Sequence, residues 1–261
     1  STKKGDPGKR GRFNLGEKLV LSLCRHATIR SASGTVEFHE DGTMSRTRDR
    51  LEKGSEFEAE VRMNAAEYDD FIASFWKLIP PKGCETRLNG DLLLRPNLVA
   101  EFDVQLPTLN SDDEGVLRKT KRNIDVEVFH IGVGQTASIF EMGIPIVETA
   151  DKYHVNIGQK VPLNMDRDNV PPAYLRLVRA AVLNHTANLL SKEEAAEDWV
   201  TNALEDKTIT PETVTATIEH RFGKKRAIWD PSDQEANHRL VSEGYTIIPG
   251  AAMPKAAWAA V

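Results

Sequence analysis

The chain has 261 residues, room for roughly two domains and for a buried core that needs neither disulfides nor metal staples. Its formal charge of −5, with 34 Lys+Arg against 39 Asp+Glu, gives no global positive field of the kind that holds proteins on nucleic acid. Two isolated cysteines, Cys24 and Cys84, exclude a disulfide framework and a zinc knuckle, and no run approaches the ~18 apolar residues of a membrane span; a reduced, cytoplasmic α+β protein is expected.

The first twelve residues are basic and glycine-rich, with Lys3, Lys4, Lys9, Arg10 and Arg12 among Gly5, Pro7, Gly8 and Gly11. They read as a flexible basic loop. After Gly16, Leu19, Val20 and Leu23 share one helical face, and the period then changes to two. Ala27 with Ile29, and Val36 with Phe38, alternate around a Ser33-Gly34 turn, and Asp41-Gly42 marks a hairpin. Phe57, Ala59 and Val61 alternate with Glu56, Glu58 and Glu60, a strand with one wet face. Asn64 and Glu67 form a capping-box pattern ahead of Tyr68, Phe71, Phe75 and Leu78 at helical spacing, and Pro80-Pro81 stops that helix. Asn89-Gly90 signals another hairpin, and Leu98, Ala100, Phe102 and Val104 a further strand.

The polar, acidic stretch Pro107–Gly115 is the expected interdomain boundary. Beyond it Ile124, Val126 and Val128 alternate with Asp125 and Glu127, and two more strands are expected at 144–147 and 153–157. A loop, VPLNMDRDNVPP, leads to a helix with Leu175, Val178, Val182 and Leu189 on one face, capped by Asp168 or Asn169. The tail adds a capping box at Ser191 and Glu194, a helix from Thr210-Pro211, and a strand–helix–strand unit over 226–248 with Gly244 as the helix stop. The organisation expected is therefore 1–107, 116–190 and a small tail, 191–261.

Several catalytic patterns are absent. Gly8-Lys9 is followed by Arg10, so no phosphate-binding GxxxxGK[ST] exists, and Gly132-Val133-Gly134 lacks the third glycine of a dinucleotide fingerprint. The seven histidines form no HExxH, and there is no GxSxG. Glu101 and Asp103, two residues apart on one strand face, read as a solvated edge. Asp198 to Ala203 reads as a surface helix.

Two segments hold chemistry. Gly11–Gly34, GRFNLGEKLVLSLCRHATIRSASG, is a glycine loop, a helix and a strand. Gly11 and Gly16 let backbone approach a ligand closely, and the helix start at Gly16, Glu17 and Lys18 aims free N–H groups at an anion. This segment resembles the glycine-rich box of the GHKL ATPases (gyrase, ninety-kilodalton heat-shock chaperones, histidine kinases, mismatch-repair proteins). Gly11, Phe13 and Gly16 match; Asn14 stands where many members have glycine. The resemblance implies that Gly11, Phe13, Asn14, Gly16, Glu17 and Lys18 line the phosphate end of an ATP site, with residues 1–12 as part of its lid.

The second segment, Val161–Arg176, resembles the catalytic loop in the second domain of the heat-shock chaperones, a Pro-Leu-Asn-x-x-Arg-acidic pattern before a helix. In that light Arg167 would reach the γ-phosphate, where a guanidinium bridges phosphate oxygens as charge develops, and Asn164 would join the site. Lys160, in Gly158-Gln159-Lys160, is similar to the lysine of gyrase-type transducers and ranks second. The implied fold is the C-terminal part of a Bergerat-type sandwich, a transducer-like domain related to ribosomal S5 domain 2, and a small α/β tail.

The family's Glu-x-x-x-Asn helix, which supplies the general base and a Mg²⁺ ligand, and its adenine-reading Asp-x-Gly-x-Gly do not occur N-terminal to Gly11. No metal ligand is assigned within the chain. The expectation is the C-terminal part of an ATP-driven machine of bacterial or phage type that by itself hydrolyses ATP poorly. It would act on a protein client, with a homodimer as one arrangement. A non-catalytic protein-binding or dimerisation scaffold is the alternative. A DNA-processing ATPase subunit is a further one, which the net charge does not favour and the basic loop Arg118–Arg122 does not exclude.

Overall fold

A computed structural model describes residues 16–111, 117–164, 169–254 and 257–258 of the chain. It is a mixed α+β protein of two compact units, residues 1–78 with 111–116 and residues 79–110 with 117–261. Among the described residues no helix is long and apolar enough to cross a membrane.

The first unit opens with α1 (Gly16–Leu23) and continues into β1 (Cys24–Ser31), β2 (Gly34–His39), β3 (Met44–Thr47) and β4 (Ser55–Val61). These strands form one antiparallel sheet, ordered β3-β2-β1-β4. Register puts Ala27 opposite Phe38 and Ala59, and Ile29 opposite Val36 and Phe57, so the alternation seen in sequence becomes one apolar face. On the other face Arg30 lies opposite Glu56 and binds it at 2.8 Å. The Asp41-Gly42 turn is closed by Asp41, which accepts from the Thr43 amide at 2.9 Å.

Helix α2 (Ala65–Trp76) starts where the capping box requires. Asn64 accepts from the Glu67 amide at 3.0 Å and Glu67 returns the bond to the Asn64 amide at 2.8 Å. Yet none of its residues is buried. The stripe Tyr68, Phe71 and Phe75 has no core to enter.

The second unit begins with a segment that makes a small hairpin, β5 (Arg87–Leu88) and β6 (Asp91–Leu92), turned by Asn89 and Gly90 with φ of 52° and 93°. A five-stranded sheet follows: β7 (Leu98–Ser111), β8 (Leu117–His130), β9 (Ser138–Glu141), β10 (Ile144–Glu148) and β11 (Tyr153–Ile157), ordered β10-β9-β11-β8-β7. β11 runs parallel to β9 and antiparallel to β8. Three expectations change here. The stretch expected as an interdomain boundary from Pro107 continues β7 as far as Ser111. The segment Arg118–Arg122, expected as a loop, lies within β8. β9 has no counterpart among the expected strands.

Helix α3 (Pro172–Thr186) packs Tyr174, Val178, Ala181 and Val182 into one cluster with Leu106, Val126, Val128, Ile139, Val155 and Ile157 of the sheet. Its N-cap is Pro171 and carries no side-chain cap; Asn169 instead accepts from the Val170 amide at 2.8 Å, and Asp168 lies outside the described residues. Leu189, expected on the buried face, falls beyond the helix and stays exposed.

Residues 191–261 contribute to the same cluster. Helix α4 (Asp198–Ala203) buries Trp199, Val200 and Ala203, and α5 (Pro211–Phe222), capped by Thr210, buries Val214 and Ile218. The Asp198–Ala203 run, expected as a surface helix, is amphipathic: Asn202 accepts from Arg179, which also holds Asp151 through bonds of 2.7–3.1 Å. Strands β12 (Arg226–Ile228) and β13 (Thr246–Ile248) pair in parallel through α6 (Gln234–Ser242), and Ile248 is fully buried.

Candidate functional site

Lys160 and Asn164, two of the expected site residues, lie between β11 and α3. Gly158 follows β11, and its amide donates to the Asp125 carbonyl at 3.1 Å. A Cβ here would stand 3.0 Å from that carbonyl oxygen, so glycine lets the chain pass close to β8. Gln159 is completely buried. Its Nε2 donates to the carbonyls of Leu106 and Pro107, both at 3.3 Å, while its Oε1 has no hydrogen-bond partner among the described residues.

Lys160 is 3% exposed. Its carbonyl accepts from the hydroxyl of buried Thr108 at 2.8 Å, and the next amide, of Val161, donates to Glu141 Oε2 at 2.8 Å. The loop beyond is tied at its base. The Asn164 amide donates to the Asn169 carbonyl at 3.0 Å, and the Asn169 amide donates to Asn164 Oδ1 at 3.3 Å. Residues 165–168, with Arg167 among them, lie between these ties and outside the described residues.

Of the glycine box, Gly11, Phe13 and Asn14 also lie outside the described residues. Gly16, Glu17 and Lys18 form the first turn of α1, the local arrangement expected for them. Gly16, Glu17 and Lys18 belong to the first unit, while Lys160 and Asn164 belong to the second.

Sequence reasoning missed a charged cluster on the outer face of the second unit's sheet. Lys82 pairs with Glu101, with Glu127 at 3.0 Å and with Asp125 at 3.9 Å. Arg95 holds Glu127 at 2.6 Å and also donates to the Pro80 carbonyl, and Asn156 donates to the other Glu127 oxygen at 2.7 Å. Glu127 is the buried member. Burial works to raise its pKa, but the bonds from Asn156, Lys82 and Arg95 outweigh that and hold it below the usual carboxylate range. The Lys82 ammonium is raised by its bonds to Glu101 and Glu127, and Asp125 is raised by burial and by the Glu101 charge.

Three carboxylates within reach of one another are a cation-binding arrangement. Here the Lys82 ammonium is the cation, and Arg95 adds a second. The cluster clasps the segment from Pro80 to Arg95 onto the sheet, where Ile79 packs on Phe129 and Phe140 and Arg95 lies over the Phe129 ring. Glu101, expected at a solvated edge, thus has a structural partner. The only sequence signal was Phe129 two residues after Glu127, which marks that strand face as covered.

No protein-family model matches the chain, and no curated protein is recognisably similar to it.

Proposed function

We propose that the chain supplies the phosphate end of an ATP site of GHKL type and belongs to an ATP-driven conformational machine. In this reading the N–H groups at Gly16–Lys18 and the loop holding Gly11, Phe13 and Asn14 receive the phosphates. Arg167 bridges γ-phosphate oxygens as charge develops, and Lys160 adds a second cation. Hydrolysis removes the γ-phosphate and releases the grip on it. A complete site of this type also needs a general base, a Mg²⁺ ligand and an adenine-reading aspartate.

The observation that carries the reading is the β11–α3 junction. Two consecutive polar residues, Gln159 and Lys160, are buried there, and among the described residues Gln159 Oε1 has no partner. An unmet acceptor in a buried position is costly to keep, and a polar ligand beside Gln159 would be one reason to keep it.

The test starts with the coding DNA upstream of Ser1, where an open frame should encode Glu-x-x-x-Asn and then Asp-x-Gly-x-Gly. In the full-length product, Arg167→Ala should lower ATP turnover about 10³-fold with little change in nucleotide affinity. Unchanged turnover removes Arg167 from the mechanism. A frame beginning near Ser1, together with no thermal stabilisation by ATP, removes the ATPase reading.

The second reading, a protein-binding or dimerisation scaffold, is favoured by the open apolar face of the first unit's sheet. Phe57 is 53% exposed there and Met44 50%.

A further inference from the structure

Sequence spacing gives the histidines no metal-binding pattern, but strand pairing creates one in the first unit. On the polar face of its sheet, the β1–β2 register sets His39 opposite His26, and the β1–β4 register sets Glu60 on the other side of His26. Two imidazoles and a carboxylate thus stand in one row across three strands. A β-bulge between Cys24 and His26 falls just before this row, and bulges re-aim the side chains beside them.

The imidazoles are placed to share one ion. Their ring centroids lie 5.5 Å apart with the planes tilted by 43°. Two imidazoles on one tetrahedral zinc, with Zn–N of ~2.0–2.1 Å, set their centroids about 5.2 Å apart. Both histidines are exposed, so a metal can reach them from solvent. Glu60 pairs with Arg25 at 3.2 Å, but both side chains are open to water, and such a pair gives up its carboxylate easily. Glu37 and Glu58, both opposite Thr28, add negative charge to the same face, while Arg30 is taken up by Glu56 and Asp49.

We propose that His26, His39 and Glu60 bind a divalent transition metal of the zinc class, with water completing the tetrahedron. The donor set decides the class. Imidazole suits zinc, copper and nickel, whereas Mg²⁺ takes oxygen ligands. The ion staples β2, β1 and β4 together. The described buried apolar side chains of this unit are Cys24 and Ala27, so an ion bound by the folded sheet supplies stability that its core does not. The site is independent of the ATPase reading.

The test is calorimetric titration of the untagged 261-residue chain, stripped of metal with EDTA, with ZnCl₂ and without nucleotide. Zn²⁺ should bind at this site, and a large excess of Mg²⁺ should not displace it. His26→Ala and His39→Ala should each weaken that binding about 100-fold or more, beyond the ~10–100-fold that loss of a supporting partner costs. Glu60→Gln should weaken it about tenfold, and His238→Ala, at an exposed histidine elsewhere, should leave it unchanged. Zn²⁺ should raise the urea midpoint of the wild type and not that of His26→Ala. Circular dichroism checks that each variant is folded. Imidazole NMR of the wild type reads the site without any variant, since Zn²⁺ should shift the His26 and His39 resonances together. Absence of Zn²⁺ binding, binding that survives both alanine variants, or shifts confined to other histidines overturns the proposal.

Discussion

The two units solve the same problem unequally. The first makes a regular four-stranded sheet with a clean apolar side, yet among its described residues the only buried apolar side chains are Cys24 and Ala27. The second closes its sheet with α3, α4, α5 and residues as distant as Met253 and Ala257, and it buries large side chains on every layer. Secondary structure of good quality therefore does not imply a core. Strand alternation and caps fix local geometry, whereas stability comes from what covers the apolar side.

That contrast can be broken by substitution. Trp199→Ala should cost the second unit about 3–5 kcal/mol, since Trp199 is 3% exposed and packs on the Tyr153 ring. Phe57→Ala in the first unit should cost less than ~1 kcal/mol in the monomer, because the side chain is already half in water. Urea unfolding of the two variants side by side measures both. Comparable losses would show that the first unit has a core after all.

Glu127→Ala comes next, at about 2–3 kcal/mol, because it leaves Arg95 and Asn156 without their buried acceptor. Limited proteolysis should then cut within Pro80–Arg95 more readily than in the wild type, because the clasp is gone.

Acid should act on the second unit first. Burial lowers the pKa of His154, whose Nδ1 accepts from the Ser138 amide at 3.2 Å and whose ring stands edge-on to Phe140. His185, stacked on Phe102, is lowered for the same reason. In both cases the unfolded chain binds the proton more tightly. Their contribution is complete above the ordinary imidazole range, near pH 6.5, and is lost as pH falls through it. The urea midpoint should drop between pH 7.5 and 5.5, and His154→Phe should flatten that slope. At the α2 cap, Asn64→Ala should cost ~1 kcal/mol of helix stability, read as a loss of ellipticity.

Much of the first unit was legible because its signals are local. The capping box at Asn64, the turn at Asp41-Gly42 and the Phe57–Val61 alternation each depend on neighbours in sequence. What failed depends on distant ones. β9 was missed because its turn is Met142-Gly143, a pair with no turn signature. Both residues have positive φ, 49° and 84°. That conformation is held from outside, by the Met142 amide on the Ile157 carbonyl and by Asn156 Oδ1 on the Gly143 amide. Pro107–Ser111 looked like a linker because its side chains are polar, yet Thr108 is buried by its bond to the Lys160 carbonyl.

At the candidate site, Lys160 and Asn164 could be named from the sequence. Their setting could not. That Lys160 is buried, and that Asn164 and Asn169 close the base of a loop, are consequences of tertiary packing. The clasp of Lys82 and Arg95 on Glu127 joins positions widely separated along the chain, so no spacing pattern announces it.

The reach of the second unit's core has a consequence for how the protein is made. Leu106 shares a cluster with Ile248, Met253 and Ala257, more than half the chain further on. At usual rates of synthesis, a ribosome needs on the order of ten seconds or more to bring those partners out after Leu106 has emerged. Throughout that interval the inner face of β7 and β8 waits without its full cover. Nascent chains of this protein should therefore depend on holding chaperones.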